Sequence, residues 1–271
     1  MIVNDCCCIC GTVKNCGKYL KKVFKNIEKI INIFKEYYII IYYDHSDDDT
    51  LEQLLKFKQQ YKMHIHVNRN FKSNYRTHRL AYGRNYCLHI INKYFSNYNY
   101  FIMMDFDDVC SNEINISVLE KYIDRNETWD AISFNKENYY DIWALSIRPY
   151  IFSYAHFNNP YEVLHNMQRY IKNKLESIDD TLIPCYSAFN GFCLYKTQIF
   201  KDCVYDGNIR LDMIPTEYLK ETLKANNSEI VFIDMDWLHS KHEDCEHRSF
   251  HFEAIKKNNA RIFISPEILI K

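Results

Sequence analysis

Glycine is scarce in this chain, at 5 residues in 271, where average usage would give roughly 7 %. Proline is as rare, also at 5. Together these counts exclude flexible Gly-rich linkers, Pro-rich spacers and collagen-like repeats. No internal repeat or low-complexity boundary interrupts the chain, so one compact domain is expected. Charge of one sign is also missing: 34 basic residues face 35 acidic ones, for a formal net charge of −1. No global field therefore favours nucleic acid or an anionic membrane, and any basic site must be local. No apolar stretch approaches 18 residues, and the N-terminus carries no basic region followed by a cleavage site. The expectation is a cytoplasmic protein without a transmembrane segment. Paired C-x-x-C spacings, which a zinc site would want, do not occur. Of the 11 cysteines, Cys6, Cys7, Cys8 and Cys10 read as a buried first strand in a reducing compartment.

Apolar material is plentiful, at 47 % hydrophobic and 16 % aromatic. The first hundred residues alternate strand-like and helix-like runs, the pattern of a mostly parallel sheet covered by helices. Strands are expected at Val3 to Ile9, Tyr37 to Tyr43, Met63 to Val67 and Tyr100 to Met104. Between them, Tyr19, Leu20, Val23, Phe24, Ile27, Ile30, Ile31 and Phe34 recur at helical spacing. Ser46 to Asp49 offer N-caps for a helix over Thr50 to Gln60, and a third helix is expected from His78 to Phe95. Later helices are expected near Ile116 to Arg125, Tyr161 to Leu175 and Cys245 to Lys257. Later strands are expected at Ala131 to Phe134, Phe189 to Tyr195, Ile230 to Asp234 and Arg261 to Ile264, with a further apolar stretch at Ile142 to Ile147.

Three β-α units thus lead to the acidic run Asp105-Phe106-Asp107-Asp108 at the end of the fourth strand. Ligands of open α/β sheets bind at the carboxyl ends of strands. Two carboxylates at i and i+2 can reach one hard divalent cation, Mg²⁺ or Mn²⁺ rather than zinc, with positions left for diphosphate oxygens. The bland alternative is that Asp107 and Asp108 cap the following turn. A second chemistry shares the string: a haloacid-dehalogenase-type phosphatase would use Asp105 as nucleophile and Asp107 as acid, with Lys172 or Lys174 and Asp179-Asp180 in the remaining roles. That family, however, puts its nucleophile on the first strand of its core.

Several further strings resemble GT-A fold glycosyltransferases, specifically the cryptococcal-type mannosyltransferase group and its uncharacterised viral relatives, and the likeness is nearly chain-long. Cys10-Gly11-Thr12-Val13-Lys14-Asn15-Cys16 resembles the nucleotide-holding first strand and loop, and Asp44 resembles the acidic residue that meets the nucleoside. Arg76-Thr77-His78-Arg79 with Arg84-Asn85 resembles the arginine helix beside the diphosphate, and Asp105 with Asp107 the D-x-D motif. Trp129 to Phe134 with Tyr139 to Leu145 resembles the sugar-side wall, and Ser187-Ala188-Phe189-Asn190-Gly191-Phe192 the segment under donor sugar and acceptor. Cys245-Glu246-His247 resembles the C-terminal acidic motif, with His247 where an aspartate is usual.

The resemblance implies a single α/β domain of GT-A type, with a mostly parallel sheet flanked by helices. Its nucleotide-sugar half would be 1–110 and its sugar and acceptor half 111–271. It implies transfer of a hexose-type sugar from a UDP- or GDP-sugar to a glycan or other hydroxyl acceptor, or, if inactive, a nucleotide-sugar-binding module. The donor would be held by Gly11, Thr12, Asn15, Asp44, Arg76, Arg79, Arg84, Asn85 and Asp105. Trp143, Asn190, Gly191 and Phe192 would meet the substrate. Asp105, Asp107 and His247 would ligate Mn²⁺ or Mg²⁺, and Glu246 and Asp105 would be catalytic.

The residues support these roles unaided. Arginine forks suit phosphate oxygens, although the same residues could form a solvated basic helix face. Glu246 at a helix start suits a base or a cap. The cluster His239, His242, His247 and His251 could ligate metal or be structural. Tyr139, Tyr140 and Trp143 could stack on sugar or fill the core.

Overall fold

The computed structural model describes residues 3–232 and 241–271. The expected strand Ile230 to Asp234 falls partly outside these; within them, Ile230 makes a single bridge to Phe157. The first half alternates β1 (Val3–Val13), α1 (Gly17–Ile31), β2 (Phe34–Tyr43), α2 (Thr50–Lys58), β3 (Met63–Val67), α3 (Arg76–Tyr94) and β4 (Tyr100–Met104). The second half adds α4 (Ile116–Asp124), β5 (Ala131–Asn135), α5 (Pro160–Glu176), β6 (Ile183–Cys185), β7 (Phe192–Lys196), α6 (Thr197–Phe200), α7 (Thr216–Asn226), α8 (Glu246–Asn258) and β8 (Ile262–Ile268).

One sheet runs through the described residues in the order β3-β2-β1-β4-β7-β5-β8-β6. The β1, β2, β3 and β4 strands are mutually parallel, as buried, nearly continuous apolar runs favour. Their carboxyl ends therefore share one edge, which brings together the residues after Val13, Tyr43 and Met104. The β7 strand then runs antiparallel to β4, pairing Phe192 with Met104, so that the chain just before β7 lies beside Asp105. Parallel pairing returns between β5 and β8, while β6 closes the far edge antiparallel to β8. Pro184 sits in that edge strand, where its missing N–H costs no ladder bond.

Each sheet face carries its own core. Leu20, Val23, Phe24, Ile27, Ile30 and Ile31 bury one face of α1 against Ile9, Ile39 and Ile41. On the other face, Ala81, Leu88 and Ile91 of α3 pack with Cys8, Cys10 and Ile40. The cysteine run is buried strand as expected, and all 11 cysteines are free.

Two expected strand bounds are corrected, and two further segments take their place in the fold. The β1 strand continues through Gly11 to Val13, because Thr12 and Val13 stay paired with Tyr42 and Tyr43. The apolar stretch Ile142 to Ile147 forms turns and isolated bridges. The strand expected from Phe189 starts at Phe192, since Asn190 and Gly191 take positive φ of 53° and 84°. The α7 helix, which carried no expectation, follows Pro215 and ends on Asn227 in the left-handed region.

Candidate active site

The strand ends are stitched into a rigid rim by side chains of the connecting loops. Asn15, at φ 51°, donates its N–H to Ser46 Oγ (2.9 Å), while its Oδ1 accepts from Asp47 N–H (2.8 Å). Asp48 accepts from Gly17 N–H at the start of α1 and from Thr50 N–H at the start of α2, both at 3.0 Å. One carboxylate thus serves two helix starts that lack internal partners. Asp44 lies between Asn68, which donates to it at 2.9 Å, and Lys14 at 3.7 Å.

The α3 helix begins at the same edge. Its first turn has no local side-chain cap; instead Glu243 accepts from Thr77 N–H and Oγ–H, both at 2.8 Å. An anion there also suits the helix dipole. Arg76, Leu80 and Arg84, spaced i, i+4 and i+8, share one helix face, with Arg79 turned to the ends of β1 and β2.

Two cavities result. One, of about 290 Å³, is lined by Thr12, Asn15, Asp44, Arg76, Arg79 and Asp107 among others. The second, of about 470 Å³, is lined by Arg84, Asp141, Trp143, Phe189, Glu246 and His247 among others. Arg76, Leu80 and Asp105 line both, so Asp105 stands at their common wall.

Asp105 is held on several sides. Its N–H donates to Gly191 C=O (2.9 Å), Tyr140 O–H donates to its Oδ2 (3.3 Å), and Arg84 Nη2 lies 3.4 Å from its Oδ1. A side chain at position 191 could not fit, since a Cβ would come within 2.3 Å of Val109 Cγ1. Burial raises the Asp105 pKa against the pull of Arg84. Burial, with the adjacent Asp105 charge, pushes Asp107 up to about 7. Burial likewise raises Asp141, whose carboxylate accepts from Ala144 N–H (3.2 Å) and Asn190 N–H (3.3 Å).

Carboxylates that resist ionisation side by side are what a bound cation would relieve. The two hard oxygen donors of Asp105 and Asp107 therefore fit Mg²⁺ or Mn²⁺. Among the described residues, no three His, Cys, Asp or Glu side chains converge as a metal-holding group. The turn after β4 is capped by Asp107, whose Oδ1 accepts from Val109 N–H (3.1 Å).

On the far wall, Glu246 opens α8 and is ion-paired with Arg84, both nearly fully buried. The Arg84 guanidinium also lies 4.9 Å from the Phe189 ring centroid. His247 stacks on Phe189 at 3.8 Å, and burial, with Arg84 nearby, holds its pKa well below the ordinary value. It lines the larger cavity and Asp107 the smaller, so the two share no cavity. His251 is structural: Ser187 Oγ and Tyr195 OH each lie 2.9 Å from its ring nitrogens, and burial lowers its pKa to about 3. His239 lies outside the described residues.

Five expected residues, Gly11, Asn85, Asn190, Gly191 and Phe192, line neither cavity. Gly11 lets Phe106 close over β1, since a Cβ would sit 2.3 Å from that ring. Asn85 exchanges two 2.8 Å hydrogen bonds with the Tyr205 backbone. Phe192 is core, packed edge-on against Phe134. Asn190 is buried, its Nδ2 donating to Phe134 C=O (2.9 Å) and its Oδ1 accepting from Tyr140 N–H (3.3 Å), so it shapes the wall from behind.

Sequence reasoning passed over Asp141 as a carboxylate and Arg248 altogether. Arg248 Nε donates to Asp244 (2.8 Å) and its Nη1 to the carbonyls of Leu145 (3.1 Å) and Ile151 (3.3 Å). The i, i+4 spacing of Asp244 and Arg248 was the available signal.

Two cavities meeting at a carboxylate on a parallel strand end mark an open α/β sheet of the kind that binds ligands at its carboxyl edge. The chain belongs to glycosyl transferase family 2, whose model matches residues 8–202. The architecture is accordingly a single GT-A domain, with an eight-stranded sheet flanked by helices. No curated protein matches the sequence.

Among solved structures, Staphylococcus aureus TarS 1–349 in complex with UDP-GlcNAc is similar, at 13 % identity and TM-score 0.43 over 86 % of this chain and 57 % of that one. The mannosyltransferase PcManGT from Pyrobaculum calidifontis, in complex with GDP-Man and Mn²⁺, shows 11 % identity and TM-score 0.41 over 75 % and 48 %. Mycobacterium tuberculosis glucosyl-3-phosphoglycerate synthase shows 9 % identity and TM-score 0.42 over 72 % and 58 %. The chain thus spans less than two thirds of each of these structures.

The family displaces the phosphatase reading, and the geometry agrees. Lys172 pairs with Glu176 (3.8 Å) and Asp180 with Lys121 (2.8 Å). Asp179 is exposed, and Lys174 borders a separate cavity with Arg148 and Tyr186. None of them lines a cavity with Asp105. No helix among the described residues is long and apolar enough to cross a membrane.

Proposed function

We propose that the protein transfers a hexose-type sugar from a UDP- or GDP-sugar to a hydroxyl acceptor, with Asp105 and Asp107 holding Mn²⁺ or Mg²⁺. The observation that carries this reading is the position of Asp105 at the wall common to the two cavities. A donor laid across that wall has its nucleoside beside Asn15 and Asp44, its diphosphate beside Arg76 and Arg79, and its sugar in the larger cavity. Residues 1–110 then supply the nucleotide side, and 111–271 most of the sugar and acceptor side. The strings that resemble cryptococcal-type mannosyltransferases support a hexose.

A divalent cation, when bound, supplies positive charge against the departing diphosphate. The chain's own residues do the rest. Arg76 and Arg79 hold phosphate oxygens, and Tyr140 and Gly191 fix the Asp105 carboxylate. Arg84 orients Glu246, which is the proton acceptor for the incoming hydroxyl.

The test joins binding to turnover. UDP or GDP with Mn²⁺ raises the melting temperature of the full chain, because a ligand of the folded state alone stabilises it. Asp107→Ala removes that shift and lowers transfer by roughly a thousand-fold, about 4 kcal/mol of barrier, with unchanged circular dichroism. Undiminished transfer by this variant would sink the proposal. Nucleotide binding without any turnover of wild type would mark an inactive binding module.

A further inference from the structure

The larger cavity has a distinctive charge inventory. Its cations are Arg76 and Arg84, against the carboxylates of Asp105, Asp141 and Glu246. Arg84 is committed to Glu246 and Asp105 and lies over the Phe189 ring. Arg76 stands at the junction with the nucleotide cavity. The rest of its lining includes Trp143, Tyr154, Leu164 and Gln168, none of them charged. The sequence of 233–240, outside the described residues, contains no lysine or arginine.

Anion recognition needs cationic forks or convergent N–H donors, and a phosphate brought here would meet a net excess of carboxylate. Aromatic walls with a few amide, hydroxyl and imidazole groups suit a neutral polyhydroxylated ligand instead. His247 adds an independent pointer. It is 1 % exposed, and neither ring nitrogen has a hydrogen-bond partner among the described residues. A buried polar atom without a partner is costly, and a ligand hydroxyl in this cavity would satisfy it.

We infer that the acceptor, sharing this cavity with the donor's sugar, is an uncharged sugar, its apolar face on Trp143 and Tyr154 and its hydroxyls on Gln168 and His247, and that phosphorylated acceptors are rejected. The inference rests on the transferase reading only in calling this ligand the acceptor. Leu164 and Gln168 lie one turn apart on α5, Gln168 exposed and Leu164 half-buried at the margin of the core, and both line the cavity, so a positive charge placed there acts on selectivity.

The experiment is saturation-transfer NMR on the full chain with UDP or GDP and Mn²⁺, using methyl α-D-mannoside and methyl α-D-glucoside against their 6-phosphates. Expected is binding of the neutral glycosides at least ten-fold tighter than of the phosphates. Trp143→Ala and His247→Ala should each weaken the neutral ligands several-fold, and Leu164→Lys should narrow the ratio. Equal or tighter binding of the phosphates overturns the inference, as does neutral binding indifferent to Trp143→Ala. If neither glycoside binds while UDP or GDP still does, the acceptor inference alone fails. If UDP and GDP do not bind either, the donor reading fails with it.

Discussion

The two cavities that meet at Asp105 are built in different ways. The smaller one stands on the ends of parallel strands, and short loops that exchange backbone and side-chain hydrogen bonds hold it: Asn15 to Ser46, Asp47 to Asn15, Gly17 to Asp48. The larger one depends on buried charges, with Arg84 against Glu246 and the α3 cap from Glu243 brought from far apart in the chain, and Arg248 held by Asp244 one turn before it. Local construction tolerates the loss of one contact. Construction by buried ion pairs does not, because removing one partner strands the other.

The largest expected effect separates chemistry from binding. Glu246→Gln should lower kcat by about 10²–10⁴-fold while nucleoside-diphosphate affinity stays unchanged, whereas Asp141→Asn should leave kcat within roughly ten-fold, on the usual scale of one lost neutral hydrogen bond. The reverse ranking in steady-state kinetics would move the proton acceptor to Asp141.

The next contrast is stability. Arg84→Ala leaves Glu246 buried without its partner and should cost about 3–5 kcal/mol. Arg79→Ala, at the partly exposed edge of the smaller cavity, should stay within roughly 0.5 kcal/mol and, on the proposed reading, instead weaken UDP or GDP binding. Urea midpoints for the two variants test the contrast directly, and equal losses would break it.

The smallest effect is a dependence on pH. With Asp107 at about 7 in the fold, above the ordinary 3.8, ionisation opposes folding. The cost is absent in acid, grows as pH rises through that interval, and is complete above 7. Without ligand, Asp107→Asn should therefore melt a few degrees above wild type at pH 8 and level with it near pH 4. Metal-dependent nucleotide binding by wild type should strengthen as pH rises through about 7. A flat difference in melting temperature between pH 4 and pH 8 would contradict the assignment.

Legibility in the sequence follows the same divide. The buried runs of β1, β2 and β4 and the apolar stripe of α1 announce themselves, because hydrophobic periodicity reports burial of regular elements. The strand-end residues Asp44, Asp105 and Asp107 were readable for the same reason. In the second half, Ile142 to Ile147 is buried as irregular chain, and Arg248 meets the carbonyls of Leu145 within it and Ile151 just beyond it. Periodicity cannot tell such a segment from a strand. Arg84 and Glu246 were each singled out, but nothing local in either neighbourhood signals that they meet.

The five glycines return as a statement about mutational tolerance. At Gly11, Gly17, Gly83, Gly191 and Gly207 alike, a methyl group would come within 3.0 Å of another atom. The chain therefore sits at its compositional floor for this residue, and the shortage noted at the outset is also a map. Replacements at other positions are decided by ordinary packing and polarity. At these five, even the smallest side chain forces neighbouring atoms to shift, and three of them, 11, 83 and 191, crowd residues of the strands and turns that carry the two cavities.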